Sequence, residues 1–99
     1  MFARVSTYSG GDAERLLQGF ADVTEPLEAI DGFSHAYFMV DRESGKGMSI
    51  TIWASEEALN ASVAKADELR SRGAAAGGAQ IESVQHYEVG LTVGTPATT

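Results

Sequence analysis

Residues 33–59 read FSHAYFMVDRESGKGMSITIWASEEAL, and the fold turns on this stretch. Phe33 to Asp41 is an aromatic-rich run of strand length. The segment Glu43-Ser44-Gly45-Lys46-Gly47 is short, polar and glycine-bearing, and MSITIWA from Met48 to Ala54 is again strand-like, so the two runs are expected to form an antiparallel hairpin. Ser55 stands where a helix N-cap belongs, with Glu56 and Glu57 in the first turn, where acids favour the positive end of the helix dipole. A hairpin that runs directly into a capped helix is the middle of a β-α-β-β-α-β chain.

Working outward, FARVSTY from Phe2 to Tyr8 is an extended run that stops at Ser9-Gly10-Gly11, a turn signal. Asp12 is placed to cap a helix whose apolar face is Ala13, Leu16, Leu17, Phe20, Val23, Leu27 and Ile30. Pro26 removes a backbone donor and clashes one turn back, so this helix should kink or restart near Thr24. On the other side, Leu59, Val63, Ala66 and Leu69 form the buried stripe of the second helix, which Arg70 and Arg72 close before Gly73. AAAGGA is then expected to be a flexible connector. The last element is expected over Ile81 to Val93, longer than the first strand can match.

This order is the ferredoxin-like α+β layout, an antiparallel sheet with both helices on one face. Right-handed crossovers place strands one and three centrally and strands two and four at the edges. The other face of the sheet is then bare and apolar, and such a surface marks association. The overlong fourth strand adds an open edge. A homodimer with two sheets facing each other is therefore expected, built from a single domain over residues 1–93, with 94–99 as a frayed tail.

The chain has 99 residues and carries seven Lys and Arg against fourteen Asp and Glu, a net charge of -7. That balance repels phosphate backbones and argues against nucleic acid as a partner. A domain of this size buries roughly two thirds of its unfolded surface, so a core is feasible with little to spare. With no cysteine, disulfides, thiolate nucleophiles and Cys-ligated metals are closed. No HxxxH, HxH or HExxH spacing supports a metal site, and the glycines form no phosphate-binding motif. No run approaches the ~20 apolar residues of a membrane span, and no secretory signal opens the chain, so a cytoplasmic location is expected.

Gly32-Phe33 at the start of strand two, and Trp53-Ala54-Ser55-Glu56-Glu57-Ala58 leading into the second helix, resemble the antibiotic biosynthesis monooxygenase family. The resemblance implies the dimeric α+β barrel fold over roughly Phe2 to Val93. It also implies a cofactor-independent reaction, in which a small aromatic substrate lies between sheet and helices and reacts with oxygen through its own anion. In the haem-degrading branch a His in the second helix ligates iron and an Asn lies on the first strand. Here Leu59 to Val63 contains no His and the first strand offers Arg4, Ser6 and Thr7, so no haem or other cofactor is expected.

Candidate site residues follow from side-chain chemistry. Trp53, the only Trp, could form the wall of an aromatic-ligand pocket or simply anchor the core or a dimer interface. His35 and His86 have the ordinary pKa to deprotonate a phenol at neutral pH. The expected catalytic residues are His35 and Trp53, with Tyr37, Thr51 and His86 as ligand-binding residues. Arg4, in a central strand, must reach solvent, an acid or a ligand. Glu88 or Glu82 on strand four is its expected partner. An odd-residue hairpin loop would gather His35, Tyr37, Met39, Ser49, Thr51 and Trp53 on one face, opposite Ala36, Phe38, Val40, Ile50 and Ile52; an even loop would mix the two sets. Two functions fit: a monooxygenase or related small enzyme acting on an aromatic or polycyclic metabolite, and a non-catalytic dimeric small-molecule-binding or assembly module of the same fold.

Overall fold

The computed structural model describes residues 1–94. Its elements are β1 (Phe2–Ser9), α1 (Ala13–Ala21), α2 (Thr24–Glu28), β2 (Phe33–Val40), β3 (Gly47–Trp53), α3 (Glu56–Ala61), α4 (Val63–Ala76) and β4 (Gln80–Glu88). The four strands form one antiparallel sheet in the order β2-β3-β1-β4, with β1 and β3 central. This is the ferredoxin-like α+β layout, and each of its two helical segments is broken into two pieces.

Asp12 caps α1 by accepting from the Arg15 N–H at 3.0 Å. The first helical segment breaks at Asp22 and Val23, just before Pro26, where the kink was expected. Ser55 caps α3 by accepting from the Ala58 N–H at 3.1 Å.

Three expectations are corrected. The second helix is interrupted at Ser62, whose hydroxyl donates to the Leu59 carbonyl at 2.7 Å, so α3 and α4 are separate helices. Such a side-chain bond back to the preceding turn competes with the helical backbone ladder. Beyond Gly73 the helix continues, because alanines 74–76 are good helix formers and the left-handed residue that ends the segment is Gly78, at φ +69°. Finally, β4 ends at Glu88, opposite Phe2. One further backbone bond, from the Val89 N–H to the Met1 carbonyl at 2.8 Å, closes the pairing, so Leu91 and Val93, 83% and 87% exposed, lie outside the sheet and no strand overhangs. Of the expected tail, residues 95–99 lie outside the described residues.

The strand register decides which side chains meet. Val40 pairs with Gly47 across six intervening residues, and Ala36 pairs with Thr51 and Phe38 with Ser49. This is the even-loop arrangement, in which the polar and apolar sets mix. One face carries Phe2, Arg4, Ser6 and Tyr8 of β1 with Ser49, Thr51 and Trp53 of β3, Ala36 and Phe38 of β2, and His86 of β4. The helices cover this face except at its β4 edge, where His86 stays exposed. Val23, Leu27, Leu59 and Leu69 pack with Trp53, and Leu16, Phe20 and Ala74 pack with Tyr8. Phe38 touches both groups and stacks on Phe20 with ring centroids 4.8 Å apart. The opposite face carries His35, Tyr37 and Met39 beside Ile52, Ile50 and Met48, and Tyr37, Met39 and Tyr87 are exposed there.

Candidate functional site

The helix-covered face holds a row of polar residues across three strands, His86 on β4, Arg4 on β1 and Thr51 on β3, and a second pair one step along, Ser6 and Ser49. Arg4 is only 3% exposed. It sits in the middle of a central strand under the helices, so every donor must be satisfied inside the protein. Its Nε–H donates to His86 Nε2 at 3.1 Å, and its Nη2 donates to the Leu59 carbonyl at 3.0 Å and the Ser62 hydroxyl at 3.1 Å. The break between α3 and α4 therefore supplies Arg4 with two acceptors. Its guanidinium also lies over the Trp53 ring, 5.5 Å from the centroid, a cation–π distance.

The expected ion pair of Arg4 with Glu88 or Glu82 does not form. Glu88 lies opposite Phe2 rather than Arg4, and Glu82 sits at the irregularity of the β1–β4 ladder, where it accepts from the Ser9 hydroxyl. Burial, and then the nearby charge of Arg70, lower the Arg4 pKa to about 10, with Asp67 acting the other way.

Arg70 approaches from α4. Its Nε–H donates to Ser6 Oγ at 3.1 Å and its Nη1 pairs with Asp67 at 2.5 Å. In the sequence Arg70 stands as a charge closing a helix, yet Ala66, Arg70 and Ala74 are spaced by four and share one helix face. That phase was the available signal. Ser6, Ser49 and Tyr8 complete the polar lining, with the Tyr8 hydroxyl 2.9 Å from Ser49 Oγ. Burial raises the Tyr8 pKa, outweighing its hydroxyl partners and Arg70, and keeps the phenol protonated at neutral pH.

Between this face and the helices lies a cavity of about 40 Å³, lined by Arg4, Arg70, Ser6, Tyr8, Ser49 and Thr51 against a wall that includes Phe20, Leu27 and Phe38. Its volume is room for a water or a group of a few heavy atoms, well below the roughly 300–1,000 Å³ of pockets for drug-sized ligands. A groove of about 520 Å³ runs along α2 and the edge strand β2 and is lined by Thr24, Phe33, His35 and Ala36. Leu27 and Phe38 line both spaces.

The structure divides the expected site residues. Thr51, Trp53 and His86 lie on the helix-covered face, where Trp53 is fully buried and its Nε1–H donates to Thr51 Oγ1 at 2.9 Å. His86 Nε2 accepts from Arg4, so its proton lies on Nδ1, and burial followed by Arg4 and Arg70 lowers its pKa. His35 and Tyr37 lie on the opposite face, edge to face with centroids 5.7 Å apart. His35 Nδ1 is 2.9 Å from the Ser34 hydroxyl, which leaves Nε2 for another partner, and the residue lines the groove. Among the described residues no cluster of three His, Cys, Asp or Glu side chains is placed to hold a metal, and no helix is long and apolar enough to cross a membrane.

A four-stranded antiparallel sheet with both helical segments broken, and a cavity between its covered face and the helices, defines a ferredoxin-like α+β domain. Residues 2–77 match the family model of antibiotic biosynthesis monooxygenases, and the chain belongs to that family. Its fold is similar to SnoaB, a cofactor-independent oxygenase from Streptomyces nogalater, at 16% identity and TM-score 0.71, covering 93% of this chain and 95% of that one. It is similar to the heme-degrader MhuD from Mycobacterium tuberculosis, solved with two hemes bound, at 22% identity and TM-score 0.70, covering 95% and 100%. It is also similar to the ActVA-Orf6 monooxygenase of Streptomyces coelicolor, solved with nanaomycin D, at 19% identity and TM-score 0.63, covering 95% and 92%. No curated protein matches the chain in sequence.

Proposed function

We propose that the protein is a cofactor-independent monooxygenase that acts on an aromatic or polycyclic metabolite; SnoaB, similar in fold, is a cofactor-independent oxygenase. The observation that carries this reading is the small, partly open cavity under α1, α2 and α4, mostly apolar in its lining with Arg4, Arg70, Ser6, Tyr8, Ser49 and Thr51 as its polar groups, which shares Leu27 and Phe38 with an adjacent groove. A flat ligand enters along α2 and β2, and displacement of the Leu27 and Phe38 side chains joins the two spaces. In such a reaction the ionised substrate itself reduces oxygen. One oxygen atom enters the ring at a reduced carbon, the other leaves as water, and the carbon becomes a ketone. The protein needs only to bind, ionise and exclude water. His35, with Nε2 free at the groove, is the base; Thr51 lines the cavity, Trp53 and His86 hold the cationic Arg4, and Tyr37 lies beside His35. The test is oxygen uptake with an anthrone-type polycyclic phenol, with the ketone product identified by mass. Trp53→Phe and His35→Ala are each expected to lower turnover about tenfold or more with the fold intact, and unchanged turnover in both removes these assignments.

The small size of the cavity favours a second reading, a binding or assembly module without chemistry. Saturable binding of the same phenol with no oxygen uptake would establish it. Both readings share a homodimer. The face bearing Tyr37, Met39 and Tyr87 is exposed and apolar, and a second copy laid sheet to sheet covers it. The cytoplasm is the compartment we assign to it, on the acidic, cysteine-free composition.

A further inference from the structure

Two buried cations share the cavity, and neither is fully satisfied. Arg4 spends Nε and Nη2 on His86, Leu59 and Ser62, and Arg70 spends Nε and Nη1 on Ser6 and Asp67. Arg4 Nη1 and Arg70 Nη2 are buried without an acceptor. The Arg70 side chain is 8% exposed, so water does not substitute freely. An orphaned buried donor is costly, more so on a charged group, and two of them beside one cavity call for an explanation.

The charges around the cavity do not balance. Arg4 and Arg70 are opposed by one carboxylate, Asp67, itself paired with Arg70. His86 is neutral, since its Nε2 accepts from Arg4, and Tyr8 is a protonated phenol hydrogen-bonded to Ser49. One positive charge remains, on a side chain stacked over Trp53. A singly charged group neutralises it, whereas a phosphate dianion overshoots. Two free N–H donors on separate guanidinium groups match the two oxygens of a carboxylate. The volume of about 40 Å³ suits a carboxylate alone and excludes a ring.

We propose that the cavity between Arg4 and Arg70 receives one carboxylate group of the ligand, the rest of which lies in the groove along α2 and β2. This rests on the reading of that space as a binding site and adds the substrate class, an aromatic carboxylic acid rather than a neutral polycycle. Arg4 and Arg70 bind the two carboxylate oxygens, Ser6, Ser49 and Thr51 surround them with hydroxyls, and His86 positions Arg4 by accepting from its Nε–H.

The test uses acetate as the head-group probe and acetamide as its neutral isostere, with chloride at equal ionic strength as the salt control. Trp53, the single Trp, reports through its fluorescence because Arg4 lies over its ring, and thermal unfolding gives a second readout. Acetate is expected to change Trp53 emission saturably and raise Tm, acetamide and chloride to do neither, and Arg70→Met to weaken the acetate response at least about tenfold, the loss of one charged hydrogen bond. Equal effects of acetate and acetamide, no response to acetate, or a full response in Arg70→Met overturns the proposal. Should Arg4→Met fail to fold, the acetate–acetamide contrast in the unaltered protein and the Arg70→Met result still decide. Loss of oxygen uptake with the acetate response intact refutes the monooxygenase reading alone; oxygen uptake without the acetate response refutes the carboxylate alone.

Discussion

The guanidinium of Arg4 lies 5.5 Å from the centre of the Trp53 ring, and the Trp53 N–H donates to Thr51, the cross-strand neighbour of Arg4, at 2.9 Å. The indole thus serves two polar neighbours with different parts of one ring: its face carries the cation and its edge satisfies the hydroxyl. A buried Trp placed only to fill the core would need just the second contact.

Replacing Thr51 by Val keeps the shape and removes the acceptor of the Trp53 N–H. We expect a loss of about 1–3 kcal/mol, the cost of an unsatisfied buried donor, measured as a lower urea midpoint with an unchanged m value. Trp53→Ala is expected to cost more, about 3–5 kcal/mol, because a cavity adds to the lost burial. Equal effects of the two substitutions would show that Trp53 acts through its N–H alone.

Gly19 and Gly73 let α1 and α4 approach closely. A Cβ on Gly19 would stand 2.5 Å from the Gly73 carbonyl oxygen and 3.0 Å from the Ala76 Cβ. Backbone cannot yield as a side chain can, so Gly19→Ala is expected to destabilise by about 1–3 kcal/mol despite its better helix propensity. At Gly73 the nearest atoms are of the Phe20 ring, 3.0 Å away, which can turn, so Gly73→Ala is expected to cost less. Chemical denaturation of the two variants side by side checks the order.

His86 makes stability depend on pH with a definite sign. Its folded pKa is lowered, by burial and then by Arg4 and Arg70, so the unfolded chain takes up a proton first as pH falls through about 6.5. The contribution is complete above that pH and is lost progressively below it, down to the folded pKa. The urea midpoint is therefore expected to fall between pH 7.5 and pH 5, and His86→Gln, which keeps an acceptor for Arg4, is expected to flatten that fall. An identical pH slope in the variant would show that the carboxylates alone set it.

The exposed face bearing Tyr37 and Met39 gives a prediction on assembly. Sedimentation is expected to give twice 10.4 kDa at micromolar concentration, and Met39→Asp, a charge placed on the exposed apolar face at the edge strand β2, is expected to give 10.4 kDa with an unchanged far-UV spectrum. A monomer before substitution contradicts the sheet-to-sheet dimer.

Much of this was legible in residues 33–59 and their surroundings. The aromatic and β-branched runs, the caps Asp12 and Ser55, the break before Pro26 and the order β-α-β-β-α-β are local patterns, set by backbone preferences and periodicity within a few residues, and the family likeness of Gly32-Phe33 and Trp53 to Ala58 belongs with them. The central position of β1 and β3 followed from the handedness of crossovers. What the tertiary structure decided is relational. The register of Val40 on Gly47 moved His35 and Tyr37 to the face opposite Thr51 and Trp53, because side chains alternate and the parity of a six-residue turn is not written in its composition. The partners of Arg4 are 55 to 82 residues away in the chain, and two of them exist only because the second helix breaks at Ser62. Arg70 reads alone as a surface charge and becomes half of a buried cationic pair when α4 is laid over Ser6. Charges are legible one at a time in a sequence; which of them share a cavity is fixed only when distant segments exclude water together.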